Sequence, residues 1–99
     1  MTNVIPLWPE VAGDQLDTRG YDRVPARTLA LLNDYVFQHR SPGSFLTAVL
    51  SNDLHMAVIL ADQDNLAQLK PICQFIFNRV PNYCWGTMDA VELHLKSKP

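Results

Sequence analysis

The sequence predicts an all-α protein: a small bundle of about five short helices behind an irregular N-terminal arm. Three observations carry that expectation. Apolar residues recur at three- and four-residue spacing from Pro25 onward, polar or proline start signals punctuate those stripes, and no segment alternates with the two-residue period of a half-buried strand. The division falls at residues 1–24 for the arm and 25–99 for a single helical domain.

In the arm, Pro6, Pro9, Gly13 and Gly20 interrupt any period, and Asp14, Asp17 and Asp22 sit among them. Its strong apolar group is Ile5, Leu7 and Trp8. A tryptophan here either docks back onto its own core or marks an interface with a neighbouring subunit.

Pro25 suits the first turn of a helix, where its missing N–H would have no partner. Leu29, Leu32 and Val36, widened by Leu31 and Tyr35, place the first helix at 25–39, with His39 and Arg40 at its negative end. Ser41-Pro42-Gly43-Ser44 reads as a second start, with Ser41 as N-cap, Pro42 at the first position and Phe45, Leu46, Val49 and Leu50 as the buried face. A helix continuing from 42 to 61 would carry Asp53 into the middle of that face, and burying an unpaired carboxylate is costly. A break at Ser51-Asn52-Asp53 is therefore expected, with Asn52 or Asp53 capping a third helix through Ala61.

Asp62 caps the fourth helix in this reading, and Asp64 complements its positive end. Leu66, Leu69, Cys73, Ile76, Phe77 and Val80 form its stripe, Pro71 kinks it, and Phe75 falls roughly opposite the stripe. Phe75 is then either turned inward by the kink or exposed as an interface residue. An aromatic loop, Pro81 to Gly86, leads to Thr87 as the cap of a last helix at 88–95, built on Met88, Val91, Leu93 and Leu95.

Composition narrows the function classes. Ninety-nine residues support one domain, and 47% hydrophobic content supports a core. The 18% charge is low and favours an oligomer or a tight partner, while a net charge of −2 offers no broad attraction to DNA or anionic lipid. Two cysteines are too few for a disulfide scaffold, the first residues lack the basic head and apolar stretch of a signal peptide, and the longest apolar run, 56–61, is far short of a membrane span. A cytoplasmic protein with reduced thiols is the expectation.

Chemistry is sparse. His39, His55, His94, Cys73 and Cys84 show no metal-ligand spacing, so no metal or cofactor is expected. No nucleophile elbow occurs; a spatial Cys84–His94 pair is open to the fold, but nothing in the sequence selects it. The third helix has no lysine or arginine for reading DNA. Anion recognition is better provided for: Arg40, Ser41, Gly43 and Ser44 surround a helix start with free N–H groups, and Arg79 adds a second guanidinium. Tyr83 and Trp85 either stack on a base or close over the core.

Two motifs are distinctive together: Pro42-Gly43-Ser44-Phe45-Leu46-Thr47-Ala48-Val49-Leu50-Ser51-Asn52-Asp53-Leu54, and Cys84-Trp85-Gly86, linked by Ala61-Asp62, Asn65, Leu69, Asn78 and Pro81. On these residues the stretch 41–95 resembles a group of small, uncharacterised proteins of tailed bacteriophages and prophages. The arm lies outside the resemblance, and Thr87-Met88 stands where serine and proline would be expected. The group has no agreed activity and transfers no residue roles. What it implies is context, a phage product in a bacterial host's cytoplasm, where small proteins by analogy counter host defence. The resulting expectation is a non-enzymatic, homo-oligomeric protein that sequesters a phosphate-bearing nucleotide immune signal, with Arg40, Ser41, Gly43, Ser44, Arg79, Tyr83 and Trp85 as ligand contacts. The alternative is a protein–protein inhibitor of a host defence effector such as a CRISPR complex, with Trp8 and Phe75 at the interface.

Overall fold

A computed structural model describes residues 15–97. Among them the architecture is all-α, in the order α1 (Ala26–Gln38), α2 (Ser44–Leu50), α3 (Leu54–Leu60), α4 (Gln63–Ala67), α5 (Leu69–Arg79), a 3-10 turn (Asn82–Cys84) and α6 (Met88–Lys96). No helix among the described residues is long and apolar enough to cross a membrane. Trp8, Ile5 and Leu7 lie outside the described residues.

The second half of the N-terminal segment is irregular, as its glycines and aspartates predict, but it is packed. Leu16 and Val24 are buried in the core, and the Leu16 N–H donates to Asn33 Oδ1 at 2.9 Å. α1 follows Pro25 and stops where His39 enters the left-handed region at φ 55°. Its buried face is Thr28, Leu32, Tyr35 and Val36, the one-turn repeat of an amphipathic helix.

α2 starts later than its serine and proline suggest. Gly43, not Ser41, is the residue before the helix, at φ 93°, and the Ser41 Oγ only accepts a 3.3 Å bond from the Gly43 N–H in the lead-in. A Cβ at Gly43 would meet nothing within 4 Å, so the backbone angle rather than crowding calls for glycine there. The break after α2 falls where the buried-carboxylate argument puts it. Asn52 turns the chain at φ 63°, and Asp53 caps α3 by accepting from the Met56 N–H at 3.2 Å.

The fourth helix is two helices. Asp62 caps α4 through the Asn65 N–H at 2.8 Å, but the chain breaks at Gln68 (φ −111°, ψ 23°) before α5 begins. Pro71 thus becomes the third residue of α5, a first-turn position that needs no N–H donor, and it kinks nothing. The restart shifts the helical phase. Ile72, Phe75, Ile76 and Val80 face the core, whereas Leu66, Cys73 and Phe77 of the predicted stripe are exposed. Phe75, a proposed interface residue, is 0% exposed and meets the Tyr21 ring edge-on at 5.2 Å. Phe77 is the exposed aromatic of α5, at 72%.

Thr87 caps α6 by accepting from the Ala90 N–H at 3.1 Å. Val91 and His94 form its buried side, while Leu93 and Met88 are exposed. The two motifs of the sequence meet in space. Asn52 Nδ2 donates to the Gly86 carbonyl at 2.9 Å, and the Gly86 N–H donates to the Leu50 carbonyl at 2.7 Å. These bonds clasp the α2–α3 turn to the aromatic loop.

Candidate functional site

The residues singled out for ligand binding fall into three places. Gly43 and Ser44 line a groove between α1, α2 and the start of α4, together with Arg27, Thr28, Phe45 and Asn65. Arg40 and Ser41 are exposed in the lead-in to α2 just beside it in sequence. Arg79 is committed elsewhere: its guanidinium carbon lies 5.3 Å above the Tyr21 ring, and its Nη2 donates to the Arg19 carbonyl at 3.4 Å. Tyr83 and Trp85 belong to a third location, with the Tyr83 ring 6.2 Å from that of His94 and the Trp85 ring 6.0 Å from that of Phe77. Trp85 also packs against the core and donates its Nε1–H to the Val80 carbonyl at 3.3 Å. Among the described residues, none of the three main grooves is lined by both the α2 start and the aromatic loop. Within one chain, none of these grooves joins the phosphate clamp to the stacking platform.

The groove is built from the sequence upward. Thr28 occupies an apolar stripe position one turn before Leu32, and a hydroxyl buried there needs a partner. It finds one across the groove: Thr28 Oγ1 donates to Asn65 Oδ1 at 2.8 Å. That bond ties α1 to α4 and leaves the Asn65 amide N–H₂ as a donor. Asn65 is in place because Asp62 caps α4 through the Asn65 backbone N–H. The groove has a volume of about 230 Å³ and combines one guanidinium, one carboxylate (Asp62), hydroxyl and amide donors, and apolar walls from Leu31, Phe45 and Leu60. Sequence reasoning reaches Gly43 and Ser44 but misses Arg27, Thr28, Phe45, Asp62 and Asn65 as partners of the same site. Thr28 carried the available signal, a polar residue inside an apolar stripe.

A second cluster has the elements of chemistry without its conditions. Cys84 Sγ lies 3.7 Å from His94 Nδ1, and His94 Nε2 lies 2.8 Å from the Tyr35 carbonyl. A carbonyl only accepts, so Nε2 carries the proton and Nδ1 of the neutral ring accepts from the thiol. Tyr35 Oη donates to the Cys84 carbonyl at 2.6 Å, and His39 Nδ1 donates to the His94 carbonyl at 2.7 Å, its ring stacked 4.0 Å from that of His94. Burial pushes the Cys84 thiol up to about 12 and lowers His94 below its ordinary range. Cys84 is 0% exposed, and the second nitrogen of His94 faces a backbone carbonyl rather than a carboxylate. This is a hydrogen-bonded core joining α1, the 3-10 turn and α6, with its thiol held protonated and out of reach. No group of three or more potential metal-ligating side chains gathers among the described residues.

Compared with protein-family models, curated proteins and solved structures, the chain matches none significantly.

Proposed function

We propose that the chain is a non-enzymatic, phage-encoded binding protein that counters bacterial defence in the host cytoplasm by sequestering a nucleotide-type immune signal. The phage setting rests on the resemblance of residues 41–95. The binding mode rests on one observation, the mixed lining of the groove between α1, α2 and α4. A bare anion would meet the Asp62 carboxylate there. A nucleotide has a use for both charges: Arg27 and the N–H groups following Gly43 suit a phosphate, while Asp62 and Asn65 suit sugar hydroxyls. Phe45 and Leu31 supply the apolar wall that a base requires. Arg40, exposed in the lead-in to α2, is a second counter-charge for a ligand with two phosphates.

Calorimetry of the full chain against cyclic dinucleotides and ADP-ribose derivatives tests the reading, with the unphosphorylated nucleosides as controls. Binding that Arg27→Ala weakens at least tenfold supports it. No heat with any of these ligands, or equal affinity for the unphosphorylated controls, overturns it.

The protein-inhibitor reading is favoured by a different observation, the apolar side chains left on the surface at Phe77 and Leu93. Capture from host lysate separates the two readings, because a sponge retains nucleotide and an inhibitor retains one protein in fixed ratio.

A further inference from the structure

α3 is apolar on nearly every side. Its sequence is Leu-His-Met-Ala-Val-Ile-Leu, yet only Ala57 is buried; Leu54 is 71% exposed, Ile59 67%, and Met56, Val58 and Leu60 are exposed as well. A helix hydrophobic all round belongs inside something larger. Beside it, between α2, α3 and α5, opens a mostly apolar slot of about 90 Å³, walled by Ala48, Val49, Leu54, Ala57, Leu69 and Cys73 with Asn52 and Asp53 at one end. A benzene-sized guest fills a cavity of about 150 Å³, so this slot is sized for one branched aliphatic side chain.

We infer that α3 and this slot form a self-association surface, and that its occupant is the α3 face of a second copy of this chain. Three features single out a second copy. From 54 to 61 there is no Asp, Glu, Lys or Arg, so the helix face itself brings no like charges together in an isologous contact; the exposed carboxylates Asp53 and Asp62 flank it as a polar rim. That lack of charge is the composition of homodimer interfaces, whereas transient partners meet over more polar surfaces. The absence of basic residues likewise removes the attraction an anionic lipid surface would need. The exposed side chains of α3 offer roughly 500 Å² per copy, so pairing removes up to about 1,000 Å² from water, at the threshold that a biological interface should clear. The surface presents both the knob and the hole, since Leu54 lines the slot and yet is largely exposed, while Ile59 extends the apolar surface around the helix.

The inference shares Leu60 with the groove but does not rest on the nucleotide reading, and its test uses no ligand. Sedimentation velocity and native mass spectrometry on the full chain should give a species of at least twice 11.2 kDa at micromolar concentration. Ile59→Glu and Leu54→Lys, both at exposed positions and so compatible with the fold, should each raise the dissociation constant at least tenfold while the far-ultraviolet circular dichroism stays unchanged. A monomeric wild type at a hundred micromolar overturns the inference. So does an oligomer that both folded variants leave intact.

Discussion

Cys84 Sγ and His94 Nδ1 lie 3.7 Å apart, a thiol and an imidazole placed to share a proton in the buried centre of the molecule. Burial inverts what such a pair does in an enzyme. A nucleophilic cysteine needs its thiol lowered and its histidine charged, and here the thiol is pushed up to about 12 and the imidazole is held neutral, in each case chiefly by desolvation. The pair bolts the 3-10 turn to α6, and the predictions below follow from that and from the packing around it.

Alkylation distinguishes the two thiols. Cys73 is exposed and Cys84 is buried. Iodoacetamide at pH 8 should therefore place a single adduct on Cys73, slowly, since partial burial raises that thiol and self-association through the slot it lines shields it further. Cys84 should react only in denaturant. Peptide mass mapping reads the site, and a native Cys84 adduct forming as fast as the Cys73 one would make the thiol an accessible nucleophile after all.

Acid should weaken the fold through His94. Its pKa is depressed from the ordinary 6.5, first by desolvation and further by the neighbouring His39, against the opposing backbone bond to Tyr35. Below pH 6.5 the unfolded chain takes up a proton that the folded chain resists, so stability is full above that pH and declines below it. The slope is at most about 1.4 kcal/mol per pH unit. Thermal melts at pH 7.5 and 5.5 should show a drop for the wild type. His94→Gln, less stable at both pH values, should lack that drop. An equal drop in both proteins would assign the acid sensitivity to other groups.

The phase of α5 is testable with two phenylalanines. Phe75→Ala removes a fully buried ring and should cost about 3–5 kcal/mol in urea unfolding. Phe77→Ala trims an exposed one and should stay within roughly 0.5 kcal/mol. The opposite ranking would restore the stripe that periodicity alone suggests.

Asn52 serves the fold twice, by tolerating φ 63° and by bonding the Gly86 carbonyl at 2.9 Å. Asn52→Ala loses both and should cost about 1–2 kcal/mol. Asn52→Gly keeps the backbone freedom and should cost less. Equal losses would mean that the side-chain bond alone matters.

Much of the secondary structure was legible because its signals are local. Asp53, Asp62 and Thr87 each cap a helix through a side-chain oxygen and an N–H three residues on, a contact that sequence spacing specifies completely. The break before α3 was legible for a thermodynamic reason, since a continuous helix would have buried Asp53. The start of α2 was misplaced because Ser41 and Pro42 are a general start signal, whereas Gly43 is selected by one particular backbone angle.

What tertiary structure alone decided is which faces are inside and which distant residues meet. The stop at Gln68 rotates α5 relative to α4, so Phe75 goes in and Phe77 stays out, and no spacing rule registers a break without a strong local marker. Thr28 and Asn65 are 37 residues apart, and Cys84 and His94 are joined only by the way α6 packs on α1. Capping is a bond between near neighbours and is written along the chain. A groove or a buried hydrogen-bond network is a bond between helices, and exists only once the core has fixed their relative rotation.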